Sequence, residues 1–227
     1  MTELINAPLW SRLSDYIDKK RVTLIFKDQK FIAGACTTSN QVQVSKLVGT
    51  EFVRMNDLPA GVHVAICASY KQKAIVCGNN SKCYSVTIDG KTGTIADTNH
   101  QHGDGVIIGF QDTALIFGGS ASSSYFTERY DDTNDSWEIM NSNNVWGSAY
   151  YYASAVAFKD KVYSFGGSSF GTNIYVMDKN YEWKLHHQNL LNSRNGHKAI
   201  INGELTSFKE KVVNWSLKLI LWIFVIL

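Results

Sequence analysis

The chain has 227 residues, of which 44% are apolar and only 19% charged, with just two prolines. That is enough apolar material for one domain with a sizeable core, and it excludes a chain that is disordered throughout. A net charge of +2, with no basic cluster beyond Lys19-Lys20-Arg21, also excludes the electrostatic footprint of a nucleic-acid binder.

Residues 1–20 hold no long apolar run and carry Asp15 and Asp18 where a secretory signal is apolar, which favours a cytoplasmic location. From there on, one unit recurs: apolar strand, short polar turn, second apolar strand, glycine. Segments 22–26 and 31–33 flank the turn 27–30 and run into Gly34. Segments 62–68 and 74–77 flank a turn near 70–73 and end at Gly78. Segments 106–110 and 114–117 flank 111–113 and end at Gly118-Gly119. Segments 153–158 and 162–165 flank 159–161 and end at Gly166-Gly167. Segments 197–201 and 205–208 flank Asn202-Gly203, and there Lys209-Glu210 stands in place of the glycines. Phe26-Lys27-Asp28 returns as Phe158-Lys159-Asp160, so wording recurs as well as pattern. The glycine marks at 34, 78, 118 and 166 are 44, 40 and 48 residues apart, a period that holds about four short strands.

Two of the units continue legibly. Apolar or mixed runs at 125–130 and 137–140, and again at 174–177 and 183–185, supply a third and fourth strand. Asp- and Asn-rich turns separate them at 131–135 and 178–180, where these side chains bond their own backbone. The chain divides into an N-terminal segment 1–20, repeats over 21–208 and an apolar tail 209–227. The apolar part of the tail, 212–227, is 16 residues with Asn214, Ser216 and Lys218 inside it. That falls short of the roughly 20 residues a spanning helix needs.

Sites of chemistry are few. Cys36, Cys67, Cys77 and Cys83 show no ligand spacing. Cys77 and Cys83 flank a turn and are placed to pair, but four buried thiols is the favoured reading. His100 and His102 share a polar loop and are expected to serve a turn. No HExxH or phosphate-binding motif occurs, and Asp131-Asp132 are neighbours in a turn. No metal and no cofactor is expected.

The succession of a strand pair, Gly118-Gly119, Tyr130 and Trp137, repeated as Gly166-Gly167, Tyr175 and Trp183, resembles the kelch repeat family over 106–186. Arg194-Asn195-Gly196-His197 is similar to that family's approach to a first strand. The resemblance implies an all-β kelch-type β-propeller of four blades plus part of a fifth, open or truncated. In that family the second strand ends at the paired glycines, and the Tyr and Trp pack adjacent blades. The first two repeats depart from the pattern, with single glycines and no Trp at the right distance, and Phe52 and Tyr84 stand in as packing aromatics.

The function so implied is a non-catalytic protein–protein interaction module with a protein partner. The contact loops are 98–104, 119–125, 141–150 and 168–173, and Ser122, Tyr125, Trp146, Tyr150, Phe170 and Asn173 are their candidate contact residues. Two alternatives stand beside it. One is a carbohydrate-active or copper-dependent oxidase-like enzyme, since some kelch-like propellers are enzymes, although no such ligand set can be matched here. The other is a propeller tethered to a membrane by its tail.

Overall fold

The computed structural model describes residues 21–26, 29–35, 42–48, 51–58, 66–78, 80–121, 125–140, 146, 150–168, 171–195 and 199. Segment 1–20, the fifth strand pair expected at 197–201 and 205–208 (Ala199 apart) and the tail 209–227 lie outside the described residues. Among those described, every regular element is a strand, sixteen in all. They form four four-stranded antiparallel sheets, each pairing in sequence order. The first sheet is β1 (Arg21–Phe26), β2 (Gln29–Ala35), β3 (Val42–Val48) and β4 (Glu51–Asp57). The second is β5 (Ile66–Tyr70), β6 (Lys73–Cys77), β7 (Cys83–Thr87) and β8 (Thr92–Ile95). The third is β9 (Val106–Phe110), β10 (Thr113–Phe117), β11 (Thr127–Asp131) and β12 (Ser136–Ile139). The fourth is β13 (Ser154–Phe158), β14 (Lys161–Phe165), β15 (Ile174–Met177) and β16 (Trp183–Leu185).

The leading hairpins close more tightly than the sequence predicts. Tyr70 pairs with Lys73, Phe110 with Thr113 and Phe158 with Lys161, which leaves two-residue turns. The first turn residue is left-handed in each, with φ of 49° at Lys71, 53° at Gln111 and 55° at Lys159. Two-residue turns of this hand match the right-handed twist of the strands they join.

The first strands lie side by side in chain order: β1 by β5, β5 by β9, β9 by β13. No comparable contact joins β13 back to β1 among the described residues. Gly109 makes the β5–β9 approach possible, because a Cβ there would lie 2.5 Å from the Ser69 carbonyl oxygen. Alternation along the strands gives each inner sheet two apolar faces, so the core forms as seams between sheets. Val44, Leu58, Ala74, Val76, Tyr84 and Val86 fill the first seam. Tyr70, Ile75, Ile107, Ile116, Tyr130 and Trp137 are among those filling the second. Phe117, Trp146, Tyr150, Tyr175, Met177 and Trp183 lie in the third. Both signature tryptophans bond across a seam. Trp137 Nε1 donates to the Ala96 carbonyl at 3.0 Å and Trp183 Nε1 to Thr127 Oγ1 at 2.9 Å.

The two tryptophans hold equivalent positions, and the two tyrosines do not. Trp137 pairs with Tyr130, whereas Trp183 pairs with Met177. The residue facing the penultimate position of the second strand is Tyr84 opposite Val76, Glu128 opposite Ile116 and Tyr175 opposite Ser164. Tyr175 therefore corresponds to Glu128, and the loops of unequal length before β11 and β15 hid this from spacing alone.

Candidate interaction face

In a four-stranded meander, the link from second to third strand and the link to the next sheet emerge at the same end. Here these links are sewn together by their backbones. The connection leaving each of the last three sheets bonds to the second-to-third-strand loop of the sheet it leaves. Thr98 N–H donates to Ser81 O (3.0 Å), Gly119 N–H to Tyr150 O (2.6 Å) and Gly167 N–H to Arg194 O (2.9 Å). Further bonds cross between sheets: Ser120 N–H to Gly103 O (2.8 Å), Tyr152 N–H to Asp104 O (2.9 Å) and Ser168 N–H to Tyr151 O (2.9 Å). The described parts of the four loops expected to act together are thus bonded to one another or to their immediate neighbours.

The paired glycines make this stitching possible. Gly118 and Gly119 have φ of 68° and 133°, and a Cβ on Gly118 would lie 2.3 Å from the Tyr150 carbonyl oxygen. The second sheet solves the same joint differently. Cys77 and Cys83, directly paired at the ends of β6 and β7, form a disulfide beneath a short loop. This corrects the expectation of four buried thiols. Cys67 is half-buried and outside that bond, and Cys36 lies outside the described residues.

At the seam between the second and third sheets, the loop 98–104 folds over Glu128. This carboxylate is fully buried, and so is His102. Oε2 accepts from the Asn99 backbone N–H at 2.7 Å and from Asn99 Nδ2 at 2.9 Å. Oε1 takes the His100 backbone N–H at 2.8 Å, His102 Nε2 at 3.0 Å and His100 Nδ1 at 3.2 Å. The other His102 nitrogen, Nδ1, lies 2.7 Å from the Gly118 carbonyl oxygen. The His102 ring thus spans from the buried carboxylate to the Gly118 carbonyl, with one nitrogen against each. Burial pushes the Glu128 carboxyl up and is the largest single influence. The bonds from His102 and Asn99 outweigh it and hold the carboxyl below the ordinary range. Every acceptor site of Glu128 is committed, so the cluster has no lone pair left to take a substrate proton. It acts as a pin, fixing the loop that carries His100 and Asn99. The pair His100 and His102 thus does serve a loop, though through a buried acid that loop composition does not reveal.

The far end of the same seam is fixed as well. Asp132 pairs with Lys71 and Lys73, and Asp135 Oδ1 accepts from the Ala96 N–H (2.9 Å) and the Tyr130 hydroxyl (2.7 Å).

The candidate contact residues separate into three groups. Trp146 and Tyr150, expected to face a partner, are 2% and 0% exposed. Trp146 stacks on Phe117 and on Tyr150, because both sheets of the third seam present apolar faces that these rings fill. Tyr125 is half-buried with its ring 4.5 Å from Phe126, and Asn173 donates to the Tyr175 hydroxyl at 3.1 Å. Ser122 and Phe170 lie outside the described residues. An exposed aromatic beside these loops, outside the candidate set, is Tyr152. It is 41% exposed, with φ of 58° and its ring against Tyr151.

Among the described residues, no group of three or more His, Cys, Asp or Glu is placed to hold a metal ion, and no helix is long and apolar enough to cross a membrane. No family model matches the sequence, and no curated protein matches it.

Proposed function

We propose that the chain is a kelch-type propeller of four blades and part of a fifth, and that its stitched loop face binds a protein partner without catalysing a reaction. Four-stranded meanders with their first strands side by side support the propeller reading. So do the tryptophans that bond from one sheet to the next.

The observation that carries the binding reading is the Tyr150–Tyr152 stretch. Its backbone is bonded to three different loops, at Gly119, Ser168 and Asp104, and it displays Tyr152 in a left-handed conformation. A bulky residue rarely adopts that conformation unless its surroundings impose it. A rigid, exposed aromatic loses little entropy on binding, which is why such residues dominate interfaces.

The test compares full-length wild type, Tyr152→Ala and Asp160→Ala by quantitative crosslinking in the native cell. Asp160 sits in a turn at the opposite end of its sheet. Proteins crosslinked to wild type are expected to be lost from Tyr152→Ala, with affinity down about 30-fold or more, and kept by Asp160→Ala. Equal recovery with both variants would overturn the assignment of this face.

A further inference from the structure

The buried carboxylate of Glu128 fixes two side chains that reach the surface of the loop 98–104. Asn99 is exposed, and the His100 side chain is 20% exposed. Asn99 Nδ2 meets two acceptors, Glu128 Oε2 at 2.9 Å and the Trp137 carbonyl oxygen at 2.7 Å. An amide oxygen at that position would face oxygen twice, so this atom is the NH2 group and both of its protons are committed. The amide oxygen, Oδ1, is left with no donor among the described residues. His100 Nδ1 lies 3.2 Å from Glu128 Oε1. Glu128 lies below the ordinary carboxyl range and is ionised at neutral pH, so Nδ1 carries the hydrogen of this contact. In the neutral ring Nε2 is then an acceptor. It has no partner among the described residues, and it is not buried.

Neither group is free to turn away. Both backbone N–H groups bond Glu128, and the His100 carbonyl accepts from Thr98 Oγ1 at 2.6 Å. The His100 ring stacks on Phe126 with centroids 4.3 Å apart, and Phe126 lies against Tyr125. Two acceptors on successive residues are therefore held in place before any ligand arrives. The charges around them favour a cation. Residues 96–105 contain Asp97 and Asp104 and no Lys or Arg. Asp97 is paired with Lys82, which leaves Asp104 and the Glu128 carboxylate beneath the loop. A guanidinium presents its N–H groups in a planar fork that can meet two acceptors at once, and it packs on aromatic rings. An ammonium is a point charge on a flexible stem and gains less from acceptors fixed in this way.

We propose that Asn99 Oδ1 and His100 Nε2 form the receiving site for an arginine side chain of the protein partner. This rests on the interaction reading and supplies the chemistry that the partner must present. The loop belongs to the same face as Tyr152, since Asp104 O takes the Tyr152 N–H.

The test titrates the full chain with methylguanidinium, and separately with methylammonium at equal ionic strength, following the Asn99 side-chain amide and the His100 ring by NMR. Methylguanidinium is expected to shift both groups saturably and to bind at least about tenfold more tightly than methylammonium. His100→Phe keeps a ring on Phe126 and removes Nε2, and should weaken methylguanidinium by about tenfold or more while amide exchange over β5–β8 stays as in wild type. In cell extract, methylguanidinium should also compete with the proteins crosslinked to the unaltered chain, and methylammonium at the same concentration should not. Equal binding of the two ions, shifts confined to other residues, or no saturation below about 100 mM would overturn the assignment. Crosslinks lost from Tyr152→Ala with no methylguanidinium at 99–100 would keep the face as a binding surface and refute the arginine site. Methylguanidinium at 99–100 with full recovery from Tyr152→Ala would keep the site and refute the Tyr152 assignment.

Discussion

Glu128→Gln tests the pin under the loop face. Glutamine keeps the shape of the side chain but turns one acceptor oxygen into an NH2 donor. Both carboxylate oxygens already face at least two donors: Asn99 N and Nδ2 on one side, His100 N and His102 Nε2 on the other. Either orientation of the amide therefore sets donor against donor and leaves buried N–H groups unpaired, at about 1–3 kcal/mol each. At least two donors are left unpaired in either orientation, so the expected loss is about 2–6 kcal/mol. At roughly 2–4 °C per kcal/mol for a domain of this size, melting should fall by about 4–24 °C. Urea unfolding gives the free energy, and amide exchange over 98–104 shows whether that loop is the part released. Glu138→Gln is the control. Its partner Arg129 is at the surface, and such pairs contribute less than about 1 kcal/mol. A loss below about 1 kcal/mol for Glu128→Gln, with exchange over 98–104 unchanged, would refute the reasoning.

Replacing Cys77 and Cys83 together by alanine should cost about 2 kcal/mol, the loop-closure value for a separation of six residues, measured against the oxidised wild type. The same loss should appear in wild type under reductant and be absent from the double variant. Acid should destabilise the protein. Asp132 is held below the ordinary 3.8 chiefly by the Lys73 bond, Asp135 by the Ala96 N–H, and Glu128 lies below 4.5. A depressed folded value means stability that is complete above those ordinary values and lost as pH falls through the depressed ones, so urea midpoints should drop below pH 4.5. Glu128→Gln should flatten part of that dependence. Trp183→Phe removes the bond to Thr127 Oγ1 and should cost about 1 kcal/mol in urea unfolding, and Thr127→Val should add little on top of it. Gly118→Ala places a Cβ 2.3 Å from the Tyr150 carbonyl at φ of 68°, and should release the 150–152 stretch to exchange while β5–β8 stay protected.

The strands were legible where apolar alternation and turn residues coincide. The pairs flanking Gln111-Asp112 and Lys159-Asp160 appear almost as their sequence predicts, and Trp137 and Trp183 bond across seams as packing aromatics should. Trp146 and Tyr150 misled because a long, polar connection looks like surface, and only the third seam shows that these rings fill it. Glu128 left a readable trace. In Thr127-Glu128-Arg129-Tyr130 it sits two residues before a seam tyrosine, so period-two alternation points the acid inward. A charge on a core face calls for partners, and the nearest candidates in the chain are His100 and His102. Tyr152 had no such trace, since its exposure depends on backbone bonds to three other loops.

The joint between a sheet and its outgoing connection is built in two ways. The third and fourth sheets use left-handed glycine pairs, so that a backbone N–H can meet the passing carbonyl of Tyr150 or Arg194. The second sheet has one glycine there, and its loop turns over the Cys77–Cys83 bond to offer Ser81 O to Thr98 instead. A missing glycine mark is therefore poor grounds for denying a sheet, because the joint requires only a fixed loop with one accessible backbone group. If the protein meets a reducing environment, the second sheet should lose the support of its joint first. Amide exchange over 78–83 and 96–104 would then rise together, whereas the glycine joints at 118–119 and 166–167 would hold.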